Sequence, residues 1–349
     1  MAYTTIDDPS AYFQTALYTG NGTSTNAITN DGNSDLQPDW LWLKARSITA
    51  DHIIFDSNRG TNKRISTNTT GAEETQAFYS SFDSDGFTLG DSNANVNQSG
   101  ATYVNWQWKA NGGTTSSNTD GTITSTVQAN TTAGFSIVQY VGNGSSGATF
   151  GHGLGVAPEV VILKNRDTVR SWFVGHLSLG FNYVTHLNQT TASDADSVYW
   201  NNTAPSSTVV TLGNNEGGNE SGDNFVAYCF KEIQGYSKFG SYTGNGSTDG
   251  AFIYTGFKPA WVMIRATDVD EWRIYDNKRA NPFNVIDVRL KAESTAAESQ
   301  DDNECDFLSN GIKLRSNSGG VNSSGQAYIY MAFAESPFVS SESAPTTAR

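Results

Sequence analysis

Four carboxylates stand at matching places in two distant parts of the chain, and they could supply the acid and base of a glycosidase. Asp56 and Glu73 are matched by Asp276 and Glu298, first in the strings FDSNRG and YDNKRA and then in AEE and AAES. A glycosidase needs one carboxyl group as the acid and a second as nucleophile or base at a fixed separation. An arginine follows each aspartate, so a surface ion pair that caps a turn is the alternative. We expect the ion pair and assign no catalytic residue.

A second candidate site is the aromatic pair Tyr199 and Trp200, in the polar string DADSVYWNNTAPSS. Exposed aromatic rings beside Asn and Asp side chains are suited to stacking on a sugar ring. Packing of the pair under a long loop is the interpretation that we favour over exposure. Tyr199 and Trp200 are the residues that we predict for ligand binding if the pair is exposed.

Glycine-rich strings could bind phosphate, and three of them are nearly identical: YTGNG at 18–22, YVGNG at 140–144 and YTGNG at 242–246. No helix and no GK[ST] follows them, as a phosphate cradle would require. Gly and Asn adopt positive φ cheaply, so we predict tight turns. GHGLG (151–155) is interpreted as a loop, and DSDG (83–86) as a hairpin turn in preference to a calcium site. We therefore predict no cofactor and no metal site.

The pentapeptide opens a longer series of features that occurs three times. A proline begins an apolar run ending in a cation (PDWLWLK, PEVVILK, PAWVMIR), and NQSG, NESG or NSSG later precedes an aromatic-rich strand. Such self-similarity indicates repeated structural units. We predict an N-terminal arm (1–10), module 1 (11–111), a linker (112–131), module 2 (132–236), module 3 (237–336) and a C-terminal tail (337–349).

The elements that position these residues are expected to be short strands. The chain has 349 residues with 34 Gly and 12% aromatic residues, and Asp-Gly and Asn-Gly turn signals separate alternating apolar segments. Strands at this spacing are typical of sandwiches and jelly rolls. We predict an all-β fold of three tandem antiparallel β-sandwich or jelly-roll-like modules. The matched pairs Trp40/Trp261 and Trp172/Trp272 are expected in the core.

Charge and composition exclude several classes of function. The formal net charge is −14, and no Lys/Arg cluster is longer than NKR, so we expect no nucleic-acid partner. The sequence shows neither an apolar run of eighteen residues nor a basic, apolar leader, and we predict no membrane association and synthesis in the cytoplasm with release by lysis. The two cysteines predict no disulfide framework.

Long stretches of the chain resemble a class of repeat-containing virion structural proteins of marine tailed phages, labelled tail-fibre-like or minor structural proteins. The resemblance lies in AYFQTALYTGNG (11–22), the continuous segments 134–167 and 225–264, and the ending YIYMAFAESPFVSSESAPTTAR (328–349). It implies a non-enzymatic, particle-bound protein, but it carries over no catalytic or ligand-binding residue.

The resemblance implies a tail-associated fibre, an adaptor or a host-adsorption component located in the virion. Its partners would be other virion proteins and copies of the same chain, with a trimer as the expected homo-oligomer. Capsid decoration or a head fibre is the structural alternative. A protein that binds or hydrolyses host-surface glycan is the alternative of another class.

Overall fold

A computed structural model describes residues 2–279 and 284–346, with only the backbone described at 301–303. The fold is all-β, as predicted, with 42% of the residues in strands and 4% in helices. All strand pairs in the large sheets are antiparallel. Short, β-branched and aromatic segments separated by Gly, Asn and Asp turns explain why strands prevail over helices.

Module 1 contains a large inner sheet and a small outer sheet. The inner sheet has the order β1-β9-β3-β4-β5-β6 and the outer sheet β2-β8-β7. A short 3-10 helix (Pro9–Ala11) precedes the strands, which are β1 (Phe13–Thr19), β2 (Asn26–Thr29), β3 (Trp40–Ala45), β4 (Ile53–Asp56), β5 (Lys63–Ser66), β6 (Glu74–Thr75), β7 (Tyr79–Asp83), β8 (Gly86–Leu89) and β9 (Thr102–Trp108).

The second large sheet has the order β10-β11-β12-β19-β14-β15-β16-β17, with β13 and β18 as its small outer sheet. Its first two strands lie in 112–131, the segment predicted as a linker. The elements are β10 (Ser116–Asn118), β11 (Ser125–Asn130), β12 (Phe135–Val141), β13 (Thr149–Gly151), β14 (Val160–Asn165), β15 (Phe173–His176), β16 (Tyr183–His186), β17 (Asp194–Ala195), α1 (Ser197–Trp200), β18 (Val209–Thr211), α2 (Glu216–Asn219) and β19 (Asn224–Phe230).

In module 3 one eight-stranded sheet, β20-β27-β22-β23-β24-β25-β26-β21, supplies both the inner and the outer layer. The elements are β20 (Ser237–Thr243), β21 (Phe252–Tyr254), β22 (Phe257–Ala266), β23 (Arg273–Asp276), β24 (Ile286–Lys291), β25 (Ser299–Leu308), β26 (Gly311–Leu314), α3 (Gly319–Asn322) and β27 (Ala327–Pro337).

Each inner sheet is covered on both faces. Because successive side chains of a strand point to opposite sides, alternate residues enter two different cores. In β27, Tyr328 and Tyr330 pack inside module 3, whereas Met331 and Phe333 point into a core shared by all three modules. We call this shared cluster the central core. Its large aromatic members are Phe13, Trp40, Trp42, Trp106, Trp108, Phe135, Trp172, Tyr228, Phe230, Tyr236, Phe239, Trp261, Trp272 and Phe333. The predicted burial of the four matched tryptophans is confirmed, with exposures of 0–1%.

The glycine-rich strings form tight turns, as predicted, and an asparagine from the later motif holds each of them. In module 1, Gly22 has a φ of 67° and its N–H donates to the carbonyl of Asn97, while the Asn97 side chain accepts from Asn21 N–H at 3.0 Å. The same two bonds form in the other modules, at Gly144 with Asn219 and at Gly246 with Asn322. The two motifs of the repeat are therefore two halves of one turn.

The segments outside the three modules also make specific contacts. In the arm 1–10, Thr4 Oγ1 donates to the carbonyl of Gln234 at 2.8 Å, and Asp7 accepts from the backbone of Ser341 in the tail. Apolar residues of 112–131, such as Val127, are buried in the core of module 2. Residue 1 of the arm, 280–283 of module 3 and 347–349 of the tail lie outside the described residues.

Candidate functional site

The two candidate aspartates end equivalent strands and lie fully buried. Asp56 ends β4 and binds Arg59 through the Arg59 Nε, and Asp276 ends β23 and binds Arg279 Nε at 2.6 Å. All four side chains have 0% exposure. The expectation of a surface ion pair was therefore wrong about its location, because each pair lies under the neighbouring module.

The remaining lone pairs of each aspartate are used by the next module. Tyr228 of module 2 donates its hydroxyl to Asp56 Oδ2 at 2.7 Å. Trp106 of module 1 donates its indole N–H to Asp276 Oδ2 at 2.9 Å. Each carboxylate thus has an arginine from its own module and an aromatic donor from a neighbour, as a buried charge requires.

The two candidate glutamates bridge modules. Glu73 accepts from Arg59 Nη1 at 3.1 Å and from Arg166 Nε of module 2 at 2.8 Å. Glu298 accepts two bonds from Arg46 of module 1, at 2.8 and 2.9 Å. Their backbones pair as well, since Glu73 N–H donates to the Arg166 carbonyl at 2.8 Å. The four candidate carboxylates form two Asp–Arg–Glu–Arg chains that connect modules.

Electrostatics favours the ionised forms of Glu73 and Arg59 in the first chain. Burial acts to raise the pKa of Glu73, but hydrogen bonds and charge from Arg166 and Arg59 outweigh it, so that pKa lies below its ordinary value. Burial likewise acts to lower the pKa of Arg59, and the charge of Asp56 with the contribution of Tyr228 raises it instead. A carboxylate held in this way lacks the raised pKa of a general acid.

Module 2 carries neutral residues at the corresponding positions. His176 ends β15 where Asp56 ends β4, and its Nε2 lies 3.2 Å from the Tyr330 carbonyl of module 3. Leu179 takes the place of the arginine, and it packs against the central core. Ser193 replaces the glutamate and donates only its backbone N–H, to the Thr267 carbonyl at 3.0 Å.

Three buried cations, which in the sequence are recognisable only as markers of the repeat, anchor the same interfaces. Lys44 Nζ donates to the Thr295 carbonyl of module 3 at 3.2 Å, and Lys164 Nζ donates to the Thr70 carbonyl of module 1 at 3.2 Å. Arg265 donates to carbonyls of module 2. A cation ending an otherwise apolar strand was the signal that could have indicated this role. Burial lowers the pKa of Lys44 to about 8 and that of Lys164 to about 7.

Both residues of the predicted ligand-binding pair lie in the short helix α1. Packing under the loop is confirmed for Trp200, which is 1% exposed and whose ring packs edge-on against Phe181 at 5.6 Å. Tyr199 is half-buried against Phe173, and its hydroxyl lies 3.3 Å from Asp194 Oδ2. The pair therefore presents no open ring face of Trp200 to a sugar, because the apolar core of module 2 takes up the larger ring.

Histidines and cysteines do not gather into a further site within the described part of the chain. His52 is buried, and its Nδ1 accepts from Trp42 Nε1 at 2.8 Å. Cys229 and Cys305 are buried and free. Across 2–279 and 284–346 we find no group of three or more His, Cys, Asp or Glu side chains placed to hold a metal ion. Within the same residues, no helix has the length and apolar character needed to cross a membrane.

Comparison with known proteins gives one assignment. No curated protein and no solved structure matched the chain. A family described as "Domain of unknown function (DUF7483)" matches residues 8–337, a span that runs from the first short helix to the end of β27. Because the match covers all three modules, the chain belongs to the DUF7483 family.

Proposed function

We propose that this protein is a non-enzymatic structural component of a phage virion, acting as a tail-associated fibre, an adaptor or a host-adsorption protein. The proposal rests on the structural role of four carboxylates, Asp56, Glu73, Asp276 and Glu298. These carboxylates, the strongest catalytic candidates in the sequence, serve instead to join modules. The sequence resemblance to phage structural proteins supplies the virion context.

The contacts among the modules support a role in assembly. Module 1 contacts module 2 through Glu73 and Arg166, module 2 contacts module 3 through Ser193 and Thr267, and module 3 contacts module 1 through Glu298. Three related units are thereby arranged cyclically around one core, and this arrangement suits a partner with threefold symmetry. Other virion proteins and further copies of this chain are the partners that we propose.

Imaging of labelled virus particles tests the proposal. Antibody against the purified chain should label intact particles at the tail, and the chain should be present in a fixed number of copies per particle. Label confined to the head would contradict the tail-associated role and favour capsid decoration instead. Particles without the chain would contradict a virion role.

An activity assay tests the non-enzymatic part separately. The purified chain is incubated with host-surface polysaccharide, and new reducing ends are measured. We expect none above the buffer control. Release of reducing ends that is lost in Glu73→Gln, with folding verified by circular dichroism, would overturn this part of the proposal.

A further inference from the structure

Module 3 has a sheet whose two edge strands are consecutive in the chain. The sheet begins with β20 and ends with β21, so neither strand has a partner on its outer side within the described residues. The residues flanking β20, Tyr236 and Gly244, bond toward β27, and alternation along the strand turns the N–H and C=O groups of Ser241 and Thr243 away from the sheet. Both residues are exposed. Such an edge is a template for pairing with another strand.

The equivalent gap in module 2 is filled by one extended segment, residues 121–130. Its second half is β11, which pairs with β12. Just before β11, the N–H of Ile123 donates to the Thr149 carbonyl of β13 at 2.8 Å. Val127 packs in the core of module 2. The segment therefore joins the edge of the inner sheet to the edge of the outer sheet and covers the core between them.

The edge strands of modules 2 and 3 are held in the same way. Tyr140 of β12 stacks on Phe225 at 5.1 Å, and Tyr242 of β20 stacks on Tyr328 at 4.9 Å. Each of the two edge tyrosines donates its hydroxyl to a backbone carbonyl at 2.6 Å. Tyr140 is 3% exposed beside β11, whereas Tyr242 is only partly buried. Module 3 thus presents the same edge without the covering strand.

Module 1 covers the corresponding edge with a loop. Between β2 and β3, the N–H of Gly32 donates to Gln14 Oε1 at 2.9 Å, and Gln14 Nε2 donates to the Ser34 carbonyl at 2.8 Å. This loop therefore lies against β1. In module 3 only residues 255–256 separate β21 from β22, so no loop of this kind reaches β20.

The N-terminal arm reaches only one end of the gap in module 3. Thr4 Oγ1 donates to the carbonyl of Gln234, which precedes β20, at 2.8 Å. The Tyr3 hydroxyl donates to the carbonyl of Gly256, which follows β21, at 2.8 Å. These contacts lie where β20 begins and β21 ends. The opposite end of β20, with its exposed backbone groups, stays open.

Two exposed aromatic side chains flank the gap. Phe252 and Tyr254 of β21 are 46% and 53% exposed, and their N–H and C=O groups point away from β26, because the flanking residues bond toward it. The equivalent positions carry small or polar residues in the other modules: Ala27 and Thr29 in module 1, and Thr149 and Gly151 in module 2. Aromatic side chains are enriched at protein interfaces. Only module 3 combines an open edge with such side chains.

We propose that an extended strand of a partner protein adds to module 3 between β20 and β21, as residues 121–130 do in module 2. The strand would pair with the backbone of Ser241 and Thr243 and place apolar side chains against Phe252 and Tyr254. A folded second copy does not supply such a strand, because its described strands are already paired in its own sheets. That the partner is another virion protein rests on the function proposed above, whereas strand addition itself does not.

Binding of a fluorescently labelled synthetic peptide of residues 121–130 to the full chain tests the inference. We expect saturable binding with a Kd in the micromolar range, measured by fluorescence anisotropy. Hydrogen exchange followed by mass spectrometry should show new protection at 240–244 and 252–255 when the peptide is bound.

Proline substitution at the open edge tests the backbone pairing. Ser241→Pro removes an N–H that points away from β27, so the native ladder is kept and peptide binding should weaken about tenfold or more. Leu17→Pro, at the equivalent position of β1, is the matched control and should leave peptide binding unchanged. Phe252→Ala combined with Tyr254→Thr copies module 1 and should weaken binding about fivefold or more.

A modified peptide tests the same pairing without altering the protein. In β11 the N–H groups of Thr126 and Gln128 point toward β12. Methylation of these two backbone nitrogens should abolish binding of the peptide, because they would face β20 in the gap.

Four results would overturn the inference: no binding of the peptide, equal binding of the methylated and unmethylated peptides, protection confined to residues outside the gap, or self-association of the chain that the peptide suppresses. The last result would identify a second copy as the occupant. Peptide binding by a chain that is absent from virus particles would support strand addition and contradict the virion role alone.

Discussion

The interface between modules 1 and 2 and the interface between modules 2 and 3 use the same backbone arrangement with different side chains. Glu73 N–H donates to the Arg166 carbonyl at 2.8 Å, and Ser193 N–H donates to the Thr267 carbonyl at 3.0 Å. The first interface adds a buried chain of carboxylate–arginine pairs. The second adds neutral groups and the cation Arg265, which donates to backbone carbonyls of module 2 and has no carboxylate partner there. Packing of the modules therefore does not depend on the carboxylate–arginine pairs.

The difference in side chains between the interfaces bears on which modules pack against each other. A buried ion pair is weak evidence for stability, and its best-attested use is to select one pairing among similar alternatives. Three related modules in one chain could pair in several ways. Two ionic interfaces and one neutral interface make each pairing distinct, since an unmatched arginine or carboxylate would be buried without a partner.

Breaking one ionic chain should have the largest effect. Arg59→Leu copies the leucine of module 2 and leaves Asp56 buried without its cation, while Glu73 keeps its pair with Arg166. We expect the free energy of unfolding to fall by about 3–5 kcal/mol. Urea unfolding measures it, with the conservative Leu179→Met as the control at the neutral interface. A loss below about 1 kcal/mol would show that the charges are not coupled.

Mild acid should weaken the neutral interface through His176. Burial lowers the pKa of His176 in the folded protein to about 4, below its ordinary value of 6.5. Between these values the unfolded chain binds a proton that the folded chain does not, so stability falls as the pH drops from about 6.5 to 4. The contribution is about 3 kcal/mol, and it is fully present above pH 6.5.

The pH experiment compares the wild type with His176→Gln by urea unfolding at several pH values. Other histidines with lowered pKa values, His52, His152 and His186, act in the same direction in both proteins. The variant should therefore keep part of the pH dependence and lose the contribution of His176. Identical slopes for the two proteins would rule out His176 as the acid-sensitive group.

Introducing the missing ion pair at the interface of modules 2 and 3 should stabilise that interface. Ser193→Glu combined with Thr267→Arg reproduces the Glu73 and Arg166 pair at the neutral interface. Because the backbones already pair as in module 1, we expect a gain of about 0.5–1 kcal/mol in unfolding free energy, measured by a double-mutant cycle. Unfavourable coupling between the two substitutions would mean that the interfaces differ in geometry as well as in side chains.

The smallest effect is expected at an ion pair that joins modules at the surface. Lys278 Nζ binds Asp31 Oδ2 at 2.9 Å across the interface of modules 3 and 1, with side-chain exposures of 41% and 71%. Lys278→Ala should change the unfolding free energy by less than about 0.5 kcal/mol. Arg46→Ala at the largely buried pair with Glu298 is the contrast, and equal losses in the two variants would contradict the role assigned to burial.

The sequence predicted the β architecture because its signals are local. Alternation in WLWLK and the Gly and Asn turns depend on neighbouring residues, and the repeats made the core positions of Trp40 and Trp261 recognisable. The role of the carboxylates could not be predicted from local signals. Glu73 and Arg166 lie 93 residues apart, and only the arrangement of modules brings them together.

The aromatic pair shows a second limit of the sequence. Trp200 stands in a polar string, but its helix turns the indole into the core of module 2 beside Phe181.

The contact between Arg46 and Glu298 can form only after most of the chain has been synthesised. These residues lie 252 positions apart, so a ribosome working at about 5–20 residues per second needs roughly 10–50 seconds between them. Phe13 stacks on Phe333 and Trp108 packs edge-on against it, and Phe333 is synthesised later still. During that interval the aromatic side chains of module 1 lack their final neighbours. The nascent chain thus passes through a stage with exposed apolar surface, the condition that favours aggregation in general.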